Sequence, residues 1–188
     1  MYGGVFLDQT SIVLKNDRLY LRELNESDWI DVHKYASQTH VSKHQVWGPN
    51  TEEESKAFVQ QVLADKDKSP RTRYLFAIVI NDLDRMIGAG EINIRDTTNK
   101  SGEIGYIVNP DYWGKGIATD VATLLISFGF DSLNLHRIYA YCSPTNIGSK
   151  KVLEKVMSHE GRLRENLLLK EGWRDSLVYS VLEQEWET

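Results

Sequence analysis

One cysteine, four prolines, no long apolar run and no basic excess mark this sequence of 188 residues by what it is short of. A lone cysteine, Cys142, closes no internal disulfide and supplies no metal cluster. His33, His40, His44, His136 and His159 do not stand at ligand spacing, so no metal site is expected. Even the apolar stretch "YLFAIVI" stops at Asn81, far short of the roughly 20 residues that a membrane-spanning helix needs. With 22 Lys and Arg against 27 Asp and Glu, the net charge of −5 lacks the clustered cationic surface that binds nucleic acid. The opening "MYGGVFLDQTSIVLKNDR" has no basic flank followed by a long apolar core, which argues against a secretory signal and for the cytoplasm.

What remains is an ordinary globular composition, 41% apolar and 26% charged, in a length that fits one domain over residues 1–188. Alternation in "RLYLREL" predicts a strand with Leu19, Leu21 and Glu23 on one side. Helical spacing follows in "NESDWIDVHKYASQ", with Asn25 and Ser27 as capping residues, and "HVSKHQVWGPN" reads as a loop interrupted by Gly48 and Pro49. Thr51 and Glu54 form a capping box for a helix presenting Phe58, Val59, Val62 and Leu63. Strands are predicted at 74–80 and 85–95, joined by "NDLD", and at 102–108. Then come a helix with Ile117, Val121, Leu124 and Phe128 on one face, a strand "RIYAYC", and a helix beginning at Pro144, Thr145 or Asn146. A hairpin from "GRLRENLLL" and "SLVYSVL" closes the chain. The order β-α-α-β-β-β-α-β-α-β-β describes an α/β (mixed α+β) fold, a mixed sheet with helices on both faces.

The chemistry concentrates in "NPDYWGKGIAT", residues 109–119. A strand running through a glycine turn into a helix suits phosphate, because the first-turn N–H groups are unpaired and the helix dipole adds partial positive charge. The same turn is equally a sharp corner with no ligand. A Walker A loop needs Gly, four residues, then Gly-Lys-Ser/Thr; here Gly114-Lys115 is followed by Gly116, and Asn109 stands where the first glycine belongs. A dinucleotide fingerprint needs a glycine where Thr119 stands and an acid ending the next strand, which "RIYAYC" lacks.

Trp113-Gly114-Lys115-Gly116-Ile117-Ala118 resembles the acetyl-CoA pyrophosphate loop of the GNAT superfamily of N-acetyltransferases, Arg/Gln-x-x-Gly-x-Gly/Ala. Gly116 and Ala118 match, and Trp113 replaces Arg or Gln as in the RimJ/RimL-like branch, which acetylates ribosomal-protein N-termini. "GEIGYIVNPDYWGKGIAT", "HRIYAYCSPTNIGSKKVLEK" and the ending "EGRLRE…D…YSVLEQEW" are similar to that branch, so the resemblance spans nearly the whole chain. It implies a sheet splayed between the strand at 102–108 and "RIYAYC", acetyl-CoA as donor, a primary amine as acceptor, and a homodimer. The acceptor it implies is a protein N-terminus or a small amine such as a polyamine or aminoglycoside. A non-catalytic acetyl-CoA-binding module is the alternative from another class.

On that resemblance Trp113, Gly114, Lys115, Gly116, Ile117, Ala118 and Thr119 cradle the pyrophosphate, and backbone groups of Ile107 and Val108 pair with the pantetheine arm. Asn146 and Ser149 contact the cofactor, Glu103 falls where several members carry a base, Glu91 faces the same cleft, and Trp47 borders the acceptor. A carboxylate base suits the reaction, since an α-amine with pKa about 7.7–8.0 needs less help to lose its proton than a lysine near 10.4. Glu91 and Glu103 lie in otherwise apolar strand segments, where burial would raise a carboxyl toward a general base's range. Each is also read as a solvent-facing residue of an alternating strand. The tyrosine acid that many members carry seven residues after the asparagine is Leu153 here; Ser149 is the branch's alternative and also position N3 of a helix that Asn146 caps. The family's common Gly-Phe after this helix is Met157-Ser158. Cys142 has no base beside it in sequence, so transfer is expected to be direct, with no acyl-enzyme.

Overall fold

A computed structural model of the chain describes residues 4–8, 11–82 and 85–186, with only the backbone described at 4–8 and 11. Leu83 and Asp84 of the "NDLD" turn, and residues 1–3 and 9–10 of the opening stretch, lie outside the described residues. The strands are β1 (Gly4–Asp8), β2 (Ser11–Lys15), β3 (Leu19–Glu23), β4 (Arg73–Ile80), β5 (Met86–Asp96), β6 (Ser101–Val108), β7 (Arg137–Cys142), β8 (Ser158–Leu169) and β9 (Gly172–Leu182). The helices are α1 (Trp29–Ala36), α2 (Thr39–Ser42), α3 (Glu52–Lys66), α4 (Ile117–Asp131), α5 (Ile147–Val156) and α6 (Glu183–Trp186). All strands join one sheet in the order β1-β2-β3-β4-β5-β6-β7-β9-β8.

Strand alternation sorts the core into two layers, because successive side chains point to opposite faces of a sheet. Phe76 and Ile78 of β4 pack with Val121, Leu125 and Phe128 of α4, whereas Leu75, Ala77 and Val79 pack with Val32 of α1 and Val59 and Val62 of α3. The capping box predicted for α3 forms: Glu54 N–H donates to Thr51 Oγ1 at 3.2 Å, and Thr51 N–H donates to Glu54 Oε2 at 2.8 Å. Such a cap is worth about 1 kcal/mol. Met157 is buried in the α4-side core.

The predicted element order lacks three features. A β1–β2 hairpin extends the sheet ahead of "RLYLREL", held there because Leu14 lies opposite Leu21 and both are buried. The short α2 occupies part of the predicted loop, and α6 follows the last strand. Among the described residues no helix is long and apolar enough to cross a membrane.

The feature that positions the site is a short seam. β6 and β7 are parallel and pair only at Ser101↔Arg137, Gly102↔Ile138 and Glu103↔Tyr139. Beyond it β6 stays with β5 as far as Val108, and β7 stays with β9 as far as Cys142. The two strands diverge into the expected V-shaped slot, with the glycine turn at the end of its β6 arm.

Candidate active site

At the end of β6 the Asn109 side chain accepts the Asp111 N–H at 3.1 Å, and Pro110–Tyr112 make one 3-10 turn. Gly114 and Gly116 then take φ of +74° and +80°. A residue with a Cβ loses roughly 1–2 kcal/mol in that left-handed region, so both positions call for glycine. Gly116 caps α4, its carbonyl accepting from Thr119 N–H at 3.0 Å and Asp120 N–H at 3.2 Å. Among the described residues, the N–H groups of residues 114–118 find no protein acceptor, and a Cβ on Gly114 would meet nothing within 4 Å. Free donors, open space and a helix N-terminus together suit a diphosphate. Lys115 turns its ammonium back to the Asp111 carbonyl at 3.0 Å, over the Tyr112 ring, so it offers this site its backbone. Trp113, at the position usual for Arg or Gln, donates its indole N–H to the Val108 carbonyl at 2.7 Å and meets His40 edge-on.

That indole bond also orients the slot. The Ile107 carbonyl lies 2.3 Å from where a Gly88 Cβ would stand, which turns it onto β5. Because carbonyls alternate along a strand, the Val108 carbonyl faces the slot, where Trp113 holds it. Of the two residues named for pantetheine contacts, Val108 therefore has its carbonyl on the slot side.

Tyr106, on the stretch of β6 that pairs with β5 but no longer with β7, packs its ring against the α4-side core and brings its hydroxyl to 3.1 Å from Ser149 Oγ. Burial pushes the Tyr106 pKa well above that of an ordinary tyrosine, although the bond to Ser149 opposes this, so the phenol stays protonated. Asn146 caps α5 by accepting the Ser149 N–H at 3.1 Å. Ser149 thus serves the cap with its backbone and keeps its hydroxyl for Tyr106. Sequence reading named Ser149 and passed over Tyr106, whose phase with Ile104 and Val108 was the available signal. Leu153 is buried in the core.

Glu91 and Glu103 lie on the opposite face, where Glu91 stands across from Gly105 and Asn93 across from Glu103. Neither is buried among apolar groups: the side chains are 31% and 27% exposed, and each is ion-paired to an arginine. Arg73 Nε meets Glu91 Oε2 at 2.8 Å and Arg95 Nε meets Glu103 Oε2 at 2.8 Å. The apolar burial expected for the two carboxylates is therefore absent, and a guanidinium stands against each instead. Arg73 also reaches Asp65 Oδ2 at 3.2 Å, while the Arg95 side chain is 52% exposed. Across the seam the Tyr139 hydroxyl is pushed up, by burial and then by the charge of Glu103.

Trp47 packs on the α1–α3 core, and its loop is tied to the β8–β9 hairpin. Lys170 Nζ donates to the Gly48 carbonyl at 2.6 Å and Arg174 Nη1 to the His44 carbonyl at 2.8 Å. These two bonds join the loop at 40–50 to the hairpin beside β7. Cys142 is buried, and burial pushes its thiol pKa up, the reverse of an activated nucleophile. Among the described residues no three His, Cys, Asp or Glu side chains converge as a metal group.

The chain matches the family model "Acetyltransferase (GNAT) domain" over residues 18–156. It is 35% identical over 170 residues to the uncharacterized N-acetyltransferase YnaD of Bacillus subtilis, covering 90% of this chain and 96% of that one. A GNAT-family acetyltransferase structure from Bacillus anthracis superposes with a TM-score of 0.81 at 30% identity, covering 92% of this chain and 99% of that one. Acceptors differ among similar proteins. One is the spermidine N(1)-acetyltransferase of Escherichia coli K12, 26% identical, covering 88% of this chain and 87% of that one. Another, similar in fold, is the ribosomal-protein-S5-alanine acetyltransferase of Vibrio fischeri, with a TM-score of 0.79 at 23% identity, covering 94% of this chain and 99% of that one. With a glycine cradle at the end of a splayed β6 and a family match over most of its length, the chain belongs to the GNAT family of N-acetyltransferases.

Proposed function

We propose that this chain, as a single domain, transfers acetyl from acetyl-CoA directly to the α-amine of a protein N-terminus, a ribosomal protein being the first candidate. The observation that carries the acceptor class is the pairing of the carboxylates flanking the slot. Glu91 is held by Arg73, which also reaches Asp65, and Glu103 is held by Arg95. A polycation gains little from carboxylates already matched by arginine, whereas a single α-amine, partly neutral at pH 7, needs only a weak base. Of the two candidates, Glu103 supports that role better: it ends the β6–β7 seam, and its exposed Arg95 has room to swing aside.

In this reading the backbone N–H groups of residues 114–118 hold the diphosphate, the slot side of β6 including Val108 lines the pantetheine arm, and Trp113, Ile117, Ala118 and Thr119 shape the turn. The family's donor, acetyl-CoA, supplies an activated thioester carbonyl. Glu103, directly or through water, accepts the amine proton as the N–C bond forms. When the C–S bond breaks, the Ser149 hydroxyl, steadied by the Tyr106 O–H, donates toward the departing sulfur, and the thiolate leaves with solvent as the final proton source. Thiols near pKa 8.5 leave readily, so a modest donor suffices. Trp47 borders the acceptor. The cytoplasmic setting is supported by the single buried cysteine, which forms no disulfide. The homodimer belongs to the same reading, supported by exposed Leu163, Leu168 and Trp173 on the outer hairpin and checked by light scattering.

Thiol release from acetyl-CoA with peptides bearing free N-termini, spermidine and aminoglycosides tests the reading. Peptides are expected to react fastest, and ribosomal proteins from cells lacking the gene are expected to lose one acetyl group by intact mass. Turnover with spermidine alone would move the function to the small-amine class. Tight CoA binding without turnover on any amine would make the chain a binding module.

A further inference from the structure

Arg18, in the turn between β2 and β3, touches the glycine turn from 97 residues away in sequence. Its backbone is held in place: Asn16 Oδ1 accepts the N–H groups of Arg18 and Leu19, each at 2.9 Å, and Asn81 N–H donates to the Arg18 carbonyl at 3.3 Å. The guanidinium then makes two contacts and closes off the space beside Gly116. Nη2 donates to the Lys115 carbonyl at 2.5 Å, Nη1 stands 2.9 Å from Asp120 Oδ2, and the same Nη1 would lie 3.4 Å from a Cβ on Gly116.

Each contact has a consequence for an anion at the turn. In a planar trans peptide the C=O and the following N–H point in opposite directions. Fixing the Lys115 carbonyl on Arg18 therefore turns the Gly116 N–H away from Arg18, outward from the turn. Asp120 raises the opposite problem. It lies in the first turn of α4, where a carboxylate competes with a phosphate for the positive end of the helix. Its Oδ2 is shut off from solvent and has no hydrogen-bond donor, so the ion pair with Arg18 is what compensates its charge.

We infer that Arg18 is a positioning residue for the CoA diphosphate: it sets the Lys115–Gly116 peptide so that an amide faces the ligand, and it cancels the Asp120 charge beneath the same helix terminus. This rests on the reading of the turn as the diphosphate cradle. Burial raises the Asp120 pKa and Arg18 opposes the rise, in keeping with a carboxylate that needs this partner.

The test is calorimetric binding of CoA to the full chain and to R18A, R18K, D120N and R18A/D120N, with inorganic pyrophosphate as a second probe. R18A is expected to weaken CoA about tenfold, or 1.4 kcal/mol. R18A/D120N should regain part of that loss, since the uncancelled charge is gone while the peptide remains unfixed. R18K, which keeps the charge with a single ammonium in place of the forked guanidinium, should fall between wild type and R18A, and it guards against R18A failing to fold. Pyrophosphate affinities should follow the same order. Wild-type affinity in R18A and R18K, or an R18A/D120N protein no better than R18A, would overturn the inference while leaving the cradle intact. Wild-type protein that binds neither CoA nor pyrophosphate would overturn the cradle, and the inference with it.

Discussion

The two sides of the slot are built from different materials. The side proposed for the donor is made of backbone: two left-handed glycines, unpaired N–H groups at a helix start and a β6 edge that β7 has left. The side proposed for the acceptor is made of long side chains, with Glu91, Glu103 and Asp65 each locked to a cation and the loop at 40–50 lashed to the last hairpin. Backbone geometry recognises the part of a substrate common to a whole family. Side chains and loops are free to differ, which is how one fold accommodates different acceptors.

Substitutions can break this comparison. The largest effect is expected on the donor side: Gly116→Val places a β-branched residue at φ +80° with its Cβ against Arg18, and should weaken CoA binding on the order of 100-fold by calorimetry. Next is the proposed proton donor. Ser149→Ala should lower kcat about tenfold with the KM for acetyl-CoA little changed, below the usual range of roughly 10²–10⁴-fold for proton transfer because the thiol leaves easily. Tyr106→Phe should lower kcat less, and the double variant should be no worse than Ser149→Ala, since the phenol acts through the serine. A purely structural Tyr106 would instead show losses that add.

On the acceptor side, Arg174→Ala frees the His44 carbonyl and should raise the acceptor KM a few-fold while leaving acetyl-CoA affinity alone, as steady-state kinetics would show. If it weakened CoA binding as strongly as Gly116→Val, the division between the sides would fail. The smallest effect lies away from both. Arg137 and then Ser180 hold Glu160 at a pKa of about 2, against 4.5 for the ordinary group. A depressed folded pKa gives stability that is present above the unfolded value and lost as pH falls toward the folded one. Melting temperatures should therefore drop between pH 4.5 and 2 less steeply in Glu160→Gln than in wild type.

The donor side was legible because its determinants are neighbours in sequence. Glycines two apart, a proline-ended strand and an apolar-periodic helix spell one local conformation, and capping by Thr51 and Asn146 could be read for the same reason. What the sequence hid are meetings across distance: Tyr106 with Ser149, 43 residues apart, and Arg18 with Lys115. The ion pairs of Glu91 and Glu103 depend on strand register, and a one-residue slip would have turned either carboxylate to the other face. The apolar context of both residues pointed to burial because it describes the strand and not the arginines opposite. The β1–β2 hairpin is hard to read because Gln9-Thr10, between its two short runs, is not one of the Asn-Gly or Asp-Gly pairs that mark a hairpin turn.

The three-rung seam between β6 and β7 has a consequence for how this protein can change. Every rung added past Glu103 and Tyr139 would satisfy backbone groups that the protein alone leaves unmet, and would at the same time zip the slot shut. Thermal robustness and turnover therefore pull in opposite directions along residues 104–108. Selection for heat resistance alone, with no demand for activity, should gather substitutions in this segment and return folded, hardier, inactive proteins.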